Sequence, residues 1–253
     1  MARLLLGSGG IRTAERLDAW NAALDAFLGP IQRIVFLPYA LADHDAYVRM
    51  LYERGVVADR QVVGLHSATN PVAAIAEAQA VFVGGGNTWR LLRDMYQLGL
   101  LEPIRQRVAQ GMPFIGISAG TNVACPTMQT TNDMAIVMPP SVQALALVPF
   151  QINAHYFSGP FYLRDERGDL VPYAGETRDD RLREFHEMND RPVLGLWEGA
   201  ILRIEGDVAS AGTCHVTLHG PAGARWFRRG LEPLDFHPGA SNLSSWLLAS
   251  SAT

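Results

Sequence analysis

Ala80-Val81-Phe82-Val83-Gly84-Gly85-Gly86-Asn87 and Pro113-Phe114-Ile115-Gly116-Ile117-Ser118-Ala119-Gly120 follow one pattern: a short unbroken apolar run, a small-residue turn, then helical spacing. A run of this length without polar alternation is a strand buried on both faces. After the first, Leu91, Leu92 and Met95 recur at helical spacing within 88–98. Upstream the same unit repeats. Leu4-Leu5-Leu6 runs through Gly7-Ser8-Gly9-Gly10 into a helix that Thr13 caps and that carries Leu17, Trp20, Leu24 and Phe27 on one stripe. Residues 34–37 lead through Pro38 to a helix that starts at Asp43 and stops at Gly55. Residues 61–65 precede the cap Asn70-Pro71, and 102–110 form a further helix before the strand at 113–117. Strands alternating with helices require crossover connections. The prediction is therefore an α/β fold with a doubly wound, largely parallel sheet and helices on both faces.

Beyond Ser118 the reading continues with a helical turn over 119–124, a polar Thr130-Thr131-Asn132-Asp133 loop and an apolar run ending at Asn153-Ala154-His155. Residues 156–175 mix aromatics, Pro160, Gly168 and charges without a period, which predicts a long loop of the lid or binding kind. A charged helix over 177–189 precedes a strand over 193–198. Residues 201–204 and 208–209, joined by Glu205-Gly206-Asp207, read as a hairpin. Residues 214–218 and 224–227 read as antiparallel edge strands of the same C-terminal extension. No repeat, linker or low-complexity tract interrupts the chain, so residues 1–253 read as a single α/β domain.

Composition limits the partners. With 253 residues, 48% hydrophobic and 18% charged, the chain is too apolar for disorder, and 24 glycines without period are not collagen. Twenty-one Lys and Arg against 25 Asp and Glu give a net charge of −4, too weak a field to recruit nucleic acid or anionic lipid. No apolar stretch reaches the ~18 residues that span a bilayer, and the three-leucine run is too short for a signal peptide. Cys125 and Cys214 form no CxxC, which suits a reducing compartment and argues against a thiolate zinc site, so the expectation is a cytoplasmic protein. Trp226 and Trp246 leave two readings open, an interface in a homo-oligomer or packing on the sheet.

Gly116-Ile117-Ser118-Ala119-Gly120 is a G-x-S-x-G between a buried strand and a helix. There a sharp turn needs small residues two before and two after the serine, while the hydroxyl projects outward. Ser118 is the candidate nucleophile. The Ala119 N–H, at a helix start, is an oxyanion donor. Gly84-Gly85-Gly86-Asn87 occupies an equivalent turn, so an amide of Gly85 or Gly86 is the second donor. Neither this turn nor Gly7-Ser8-Gly9-Gly10-Ile11-Arg12 has the spacing of a dinucleotide fingerprint.

A serine hydroxyl needs a base, and seven histidines compete. His44, His186, His215, His219 and His237 read as surface, and His66 follows a strand. His155 closes an apolar run at the strand end, where open α/β sheets bind ligands, and is the best placed. By the same rule Glu198, after 193–197, supplies the carboxylate, whereas Asp179, Asp180, Glu184 and Glu187 read as a solvated helix face. The order Ser118, His155, Glu198 differs from that of α/β-hydrolases. His215 and His219 stand ~13 Å apart on a strand, too far to share an ion, so no metal site is expected.

In these residues the chain resembles the peptidase E family of α-aspartyl dipeptidases, serine peptidases on a sheet similar to class I glutamine amidotransferases. The likeness runs from Leu4 to about Phe227. It passes in order through Val83-Gly84-Gly85-Gly86-Asn87-Thr88, the serine turn, Ala124-Cys125-Pro126-Thr127, Thr130-Thr131-Asn132-Asp133-Met134, Gln151-Ile152-Asn153 with His155, Gly175-Glu176-Thr177-Arg178 and Gly195-Leu196-Trp197-Glu198-Gly199. The resemblance implies a Ser118-His155-Glu198 triad, cleavage of dipeptides with an N-terminal aspartate, and contact of Arg178 with the substrate β-carboxylate. It implies no cofactor. Asn87 and Asn132 are the candidates for polar substrate contacts or for receiving the free amine. Residues 156–174 run longer than the family's pattern. Two alternatives stay open: a cyanophycinase-like peptidase acting on β-linked aspartyl peptides, and a non-catalytic amidotransferase-like binding domain.

Overall fold

Five apolar strands, β1 (Ala2–Gly7), β2 (Arg33–Leu37), β3 (Gln61–Gly64), β4 (Val81–Val83) and β5 (Phe114–Ile117), pair in parallel in the order β1-β5-β4-β2-β3. The structure, a computed structural model, describes residues 1–248. Alternate residues of each strand enter opposite cores. Leu5, Ile34, Phe36, Phe82 and Ile115 meet Trp20, Leu24 and Phe27 of α1 (Ala14–Leu28) and Tyr47 and Leu51 of α2 (His44–Glu53). Leu4, Leu6, Val35, Leu37, Val81, Val83 and Phe114 meet Ile75 of α3 (Pro71–Ala76), Leu91, Leu92 and Met95 of α4 (Thr88–Gln97) and Ile104 and Val108 of α5 (Leu101–Ala109). Both faces of the sheet are thus covered, as unbroken apolar strands require.

Local chemistry sets the boundaries. The side chains of Thr13, Asp43 and Asn70 each accept a backbone N–H from the first turn of the helix that follows, and Pro71 occupies a position where a missing donor costs nothing. The helical turn after β5 is short, α6 (Ala119–Asn122).

The second half forms a sheet of its own. Strands β6 (Gln151–Tyr156) and β9 (Val193–Trp197) run parallel, and β12 (Ala224–Phe227) and β13 (Leu234–Phe236) extend them antiparallel in the order β13-β12-β9-β6. Ile152, Leu194, Leu196, Trp226 and Phe236 face the core that α3, α4 and α5 share. Between β6 and β9 lie a two-stranded ribbon, β7 (Tyr162–Arg164) with β8 (Leu170–Pro172), and helix α7 (Arg178–Met188). The chain returns to the first sheet with β10 (Ile201–Gly206), antiparallel to β1, and β11 (His215–His219) at the edge; α8 (Ser244–Leu247) follows.

Several expectations need correction. The partner of β10 is β11, because 207–213 closes on itself through Ser210 N–H to Asp207 C=O and Thr213 N–H to Ser210 C=O, leaving no strand at 208–209. Residues 224–227 are an inner strand of the second sheet, between β9 and β13. The loop at 156–175 contains the β7–β8 ribbon, exposed on all its residues, so no burial imposes a pattern on its sequence. Trp226 is 1% exposed and packs edge-on against Phe150, whereas Trp246 is 46% exposed.

Candidate active site

Ser118 stands where β5 turns into α6, with φ +55° and ψ −109°, a left-handed conformation that L-residues avoid. Close backbone packing enforces it. A Cβ on Gly120 would lie 2.1 Å from the Val83 carbonyl oxygen, and one on Gly116 would lie 2.7 Å from the backbone of Gly120. The Ser118 N–H donates to Gly7 C=O at 3.0 Å. The hydroxyl is left to point away from the sheet, toward His155.

His155 lies near the end of β6 and also has positive φ, +56°. Pairing with β9 runs Asn153 to Gly195 and then Tyr156 to Trp197, so β6 carries one extra residue at this point. The bulge turns the imidazole toward the serine. His155 Nε2 is 2.7 Å from Ser118 Oγ, and Nδ1 is 2.6 Å from Oε1 of Glu198, which immediately follows β9. The tautomer that satisfies both contacts has Nδ1–H donating to the carboxylate and Nε2 accepting from the hydroxyl. The hydrogen bond from His155 holds the Glu198 carboxyl below its ordinary value, against desolvation, and the charges of His155, Arg16 and Arg12 act in the same direction. Residues 37 and 43 positions apart from His155 therefore meet in one hydrogen-bonded chain.

Gly85 lies against the serine: a Cβ there would be 3.1 Å from Ser118 Cβ and 3.6 Å from Oγ. Gly86 adopts φ +131°, and a side chain there would strike the Ala40 carbonyl. The N–H groups of Gly85 and Gly86 have no acceptor among the described residues. Ala119 is the first residue of α6, so its N–H has no partner within the helix. These amides are the donors available beside the hydroxyl.

Asn87 and Asn132 are both engaged by the fold. Asn87 caps α4, accepting from Arg90 N–H at 3.0 Å and donating to Met134 C=O at 2.9 Å. Asn132 donates to Ala154 C=O at 2.7 Å and accepts from Asn153 Nδ2 at 3.0 Å. Asp133 Oδ2 accepts from the N–H and hydroxyl of Thr88, so the polar 130–133 loop is fastened over the start of α4. Each asparagine keeps a second amide hydrogen for other partners.

Beside His155 opens a cavity of about 720 Å³, walled by Phe157, Phe161, Tyr173, Arg178, Arg181 and Arg225 among others. Arg181 pairs with Glu176 at 2.6 Å, and Arg225 with Asp235 and Asp179. Arg178, the first residue of α7, forms no ion pair among the described residues. Desolvation, followed by the like charge of Arg181, pulls its guanidinium below the ordinary value against the opposing influence of Glu176.

Two placements differ from the sequence reading. His186 is 7% exposed, with its ring bonded to Arg191 C=O, so it is no surface histidine. Asp179, read as one of a solvated row, accepts from the Tyr156 phenol and from Arg225. Its partners lie 23 and 46 residues away, and nothing in the charge pattern of α7 singles it out.

The model of peptidase family S51 matches residues 3–212. A protein named peptidase E from Streptomyces coelicolor is 50% identical over 249 residues, 98% of this chain and 95% of its own. A probable alpha-aspartyl dipeptidase from Drosophila melanogaster is 48% identical over 180 residues, 71% of this chain and 72% of its own. Among solved structures, a peptidase from an acI-B1 actinobacterium superposes with a TM-score of 0.66 at 14% identity, covering 95% of this chain and 96% of its own, a likeness of fold. No helix among the described residues is long and apolar enough to cross a membrane.

Proposed function

The chain belongs to peptidase family S51, and from that membership and the geometry around Ser118 we propose that it hydrolyses dipeptides with an N-terminal aspartate. The observation that carries the reading is the chain of contacts from Ser118 Oγ through both nitrogens of His155 to Glu198, at 2.7 and 2.6 Å. In this mechanism His155 takes the Ser118 proton as the oxygen attacks the α-carbonyl of the aspartate itself, the acyl side of the scissile bond. Amides of Ala119 and of Gly85 or Gly86 hold the oxyanion, and Glu198 orients the imidazole and stabilises its charged form. His155 then protonates the leaving amine, and water releases the acyl group by the reverse route. The unpaired Arg178 in the adjoining cavity supports recognition of the β-carboxylate, for which a planar guanidinium is suited. Asn87 and Asn132 present their remaining amide hydrogens to polar groups of the substrate. The two buried free thiols support a cytoplasmic site of action.

A fluorophosphonate probe and a dipeptide panel test this together. Wild type labels once and cleaves Asp-Leu faster than β-Asp-Leu, Asn-Leu or Ala-Leu, and Ser118→Ala loses both labelling and turnover while keeping its melting transition. Full turnover in Ser118→Ala ends the proposal; faster cleavage of β-Asp-Leu reassigns the substrate to β-linked peptides. An unlabelled, inactive wild type identifies a binding domain instead.

A further inference from the structure

All three residues of the serine site lean on one short stretch, the Gly7-Ser8-Gly9-Gly10 turn after β1. Gly7 C=O accepts from the Ser118 N–H at 3.0 Å and from the Thr121 hydroxyl at 2.7 Å, anchoring both ends of the turn that carries the nucleophile. Gly9 faces the imidazole so closely that a Cβ there would lie 2.4 Å from His155 Cε1. Its carbonyl accepts the Gly199 N–H at 3.1 Å, next to Glu198. Gly10 lies beneath the carboxylate: a Cβ there would lie 2.2 Å from Glu198 Oε2.

Ser8 is the polar member and is fully buried. Its hydroxyl accepts the His155 N–H at 2.9 Å and donates to Leu196 C=O at 2.7 Å. These two backbone groups belong to β6 and β9, at the point where the extra residue of β6 interrupts their pairing. A bulge leaves strand groups without ladder partners, and buried groups of this kind need a substitute. One hydroxyl, delivered from the other sheet, satisfies one group on each strand. Ser8 is itself held by its N–H donating to Ala200 C=O at 2.9 Å.

We propose that Ser8 is a positioning residue for the reaction: its hydroxyl sets the bulged, positive-φ backbone of His155 and, through Leu196, the end of β9 that carries Glu198. The proposal rests on the serine-peptidase reading. A shift of the imidazole by about 1 Å lowers turnover by about a hundredfold in a preorganised site, whereas substrate affinity depends on other groups. Ser8 touches neither the nucleophile's oxygen nor the Arg178 cavity, so its effect falls on kcat.

The test compares wild type, Ser8→Ala, Ser8→Cys and Ser118→Ala on Asp-Leu, with melting curves and the downfield proton resonance of His155 Nδ1–H. The expected result for Ser8→Ala is a cooperative melt, kcat lower by about tenfold to a hundredfold, KM within about twofold, and a shifted or broadened resonance. If Ser8→Ala does not melt cooperatively, Ser8→Cys carries the comparison, since a thiol fills the space but donates and accepts weakly. Its kcat then falls with KM unchanged. Wild-type kcat in a folded Ser8→Ala or Ser8→Cys overturns the proposal, as does a loss in which KM rises as much as kcat falls. An active wild type unaffected by Ser118→Ala defeats instead the reading on which it rests.

Discussion

The Tyr156 phenol donates to the Asp179 carboxylate, and each of these residues stands one position beyond a group of the site: Tyr156 follows His155, and Asp179 follows Arg178. The wall of the cavity that carries the free guanidinium is therefore tied to the strand that carries the imidazole. Burial and the neighbouring carboxylate push the phenol far above its ordinary value, so it stays a donor throughout the working range. Arg225 reinforces the tie by reaching both Asp179 and Asp235.

Tyr156→Phe removes the donor and leaves Asp179 with Arg225 alone. A hydrogen bond to a charged group contributes about 1.5–3 kcal/mol, so stability in urea should fall by that amount. Because the tie holds the start of α7 and not the nucleophile, KM for Asp-Leu should rise more than kcat falls. A variant with wild-type stability and wild-type KM shows that the two walls are held independently.

Backbone closeness at the serine turn gives a sharper contrast. Gly120→Ala sets a methyl 2.1 Å from the Val83 carbonyl oxygen, whereas Gly212→Ala meets nothing within 4 Å and sits at no positive φ. Overpacking against rigid backbone costs about 1–3 kcal/mol or more, and Gly→Ala at an unstrained open site stabilises by about 0.4–1 kcal/mol. Gly120→Ala should therefore melt early and lose fluorophosphonate labelling, and Gly212→Ala should match or exceed wild type in both. Equal melting of the two variants contradicts the packing described for Ser118.

Why some of this was legible in sequence and some not follows from what burial imposes. The parallel strands, their caps and the small residues around Ser118 leave local marks, because a two-face-buried strand must be apolar throughout and a strained turn must be flanked by glycine. Glu198 could be placed at a strand end because β9 is apolar up to it, and His155 because β6, despite Gln151 and Asn153, continues the apolar residues 144–150. The bulge at His155 left no mark of its own, since it is stabilised by Ser8, 147 residues away. The membership of β9 and β12 in a separate sheet is likewise a matter of long-range pairing, which alternation of polarity does not encode. The exposed β7–β8 ribbon carries no period because neither face is buried. Asp179 shows how a charged residue amid other charges conceals a half-buried partner.

The carboxylate of Glu198 gives a pH dependence with a definite sign. Its folded-state pKa lies below the ordinary 4.5, chiefly because His155 donates to it. A depressed carboxyl contributes stability that is fully present above 4.5 and is lost as pH falls through the lower folded value. Relative to Glu198→Gln, wild type should thus lose its advantage progressively as pH falls below about 4.5. Paired melting curves across that range read the difference directly. A gap that widens on acidification reverses the sign and removes His155 as the cause of the shift.

Selectivity should reside in Arg178. Arg181 is occupied by Glu176 and Arg225 by two aspartates, so a carboxylate entering the cavity finds its free cation at the start of α7. A cation there gains nothing from the helix dipole and is partly desolvated, a cost that an anionic ligand offsets. Arg178→Ala should lower kcat/KM for Asp-Leu by about tenfold to a hundredfold, the equivalent of one charged hydrogen-bonded pair, while Ala-Leu changes little. Arg178→Lys should recover only part, because an ammonium cannot reproduce a bidentate contact. An unchanged ratio of kcat/KM between Asp-Leu and Ala-Leu in Arg178→Ala clears the arginine and moves the search for the discriminating group to Asn87 and Asn132.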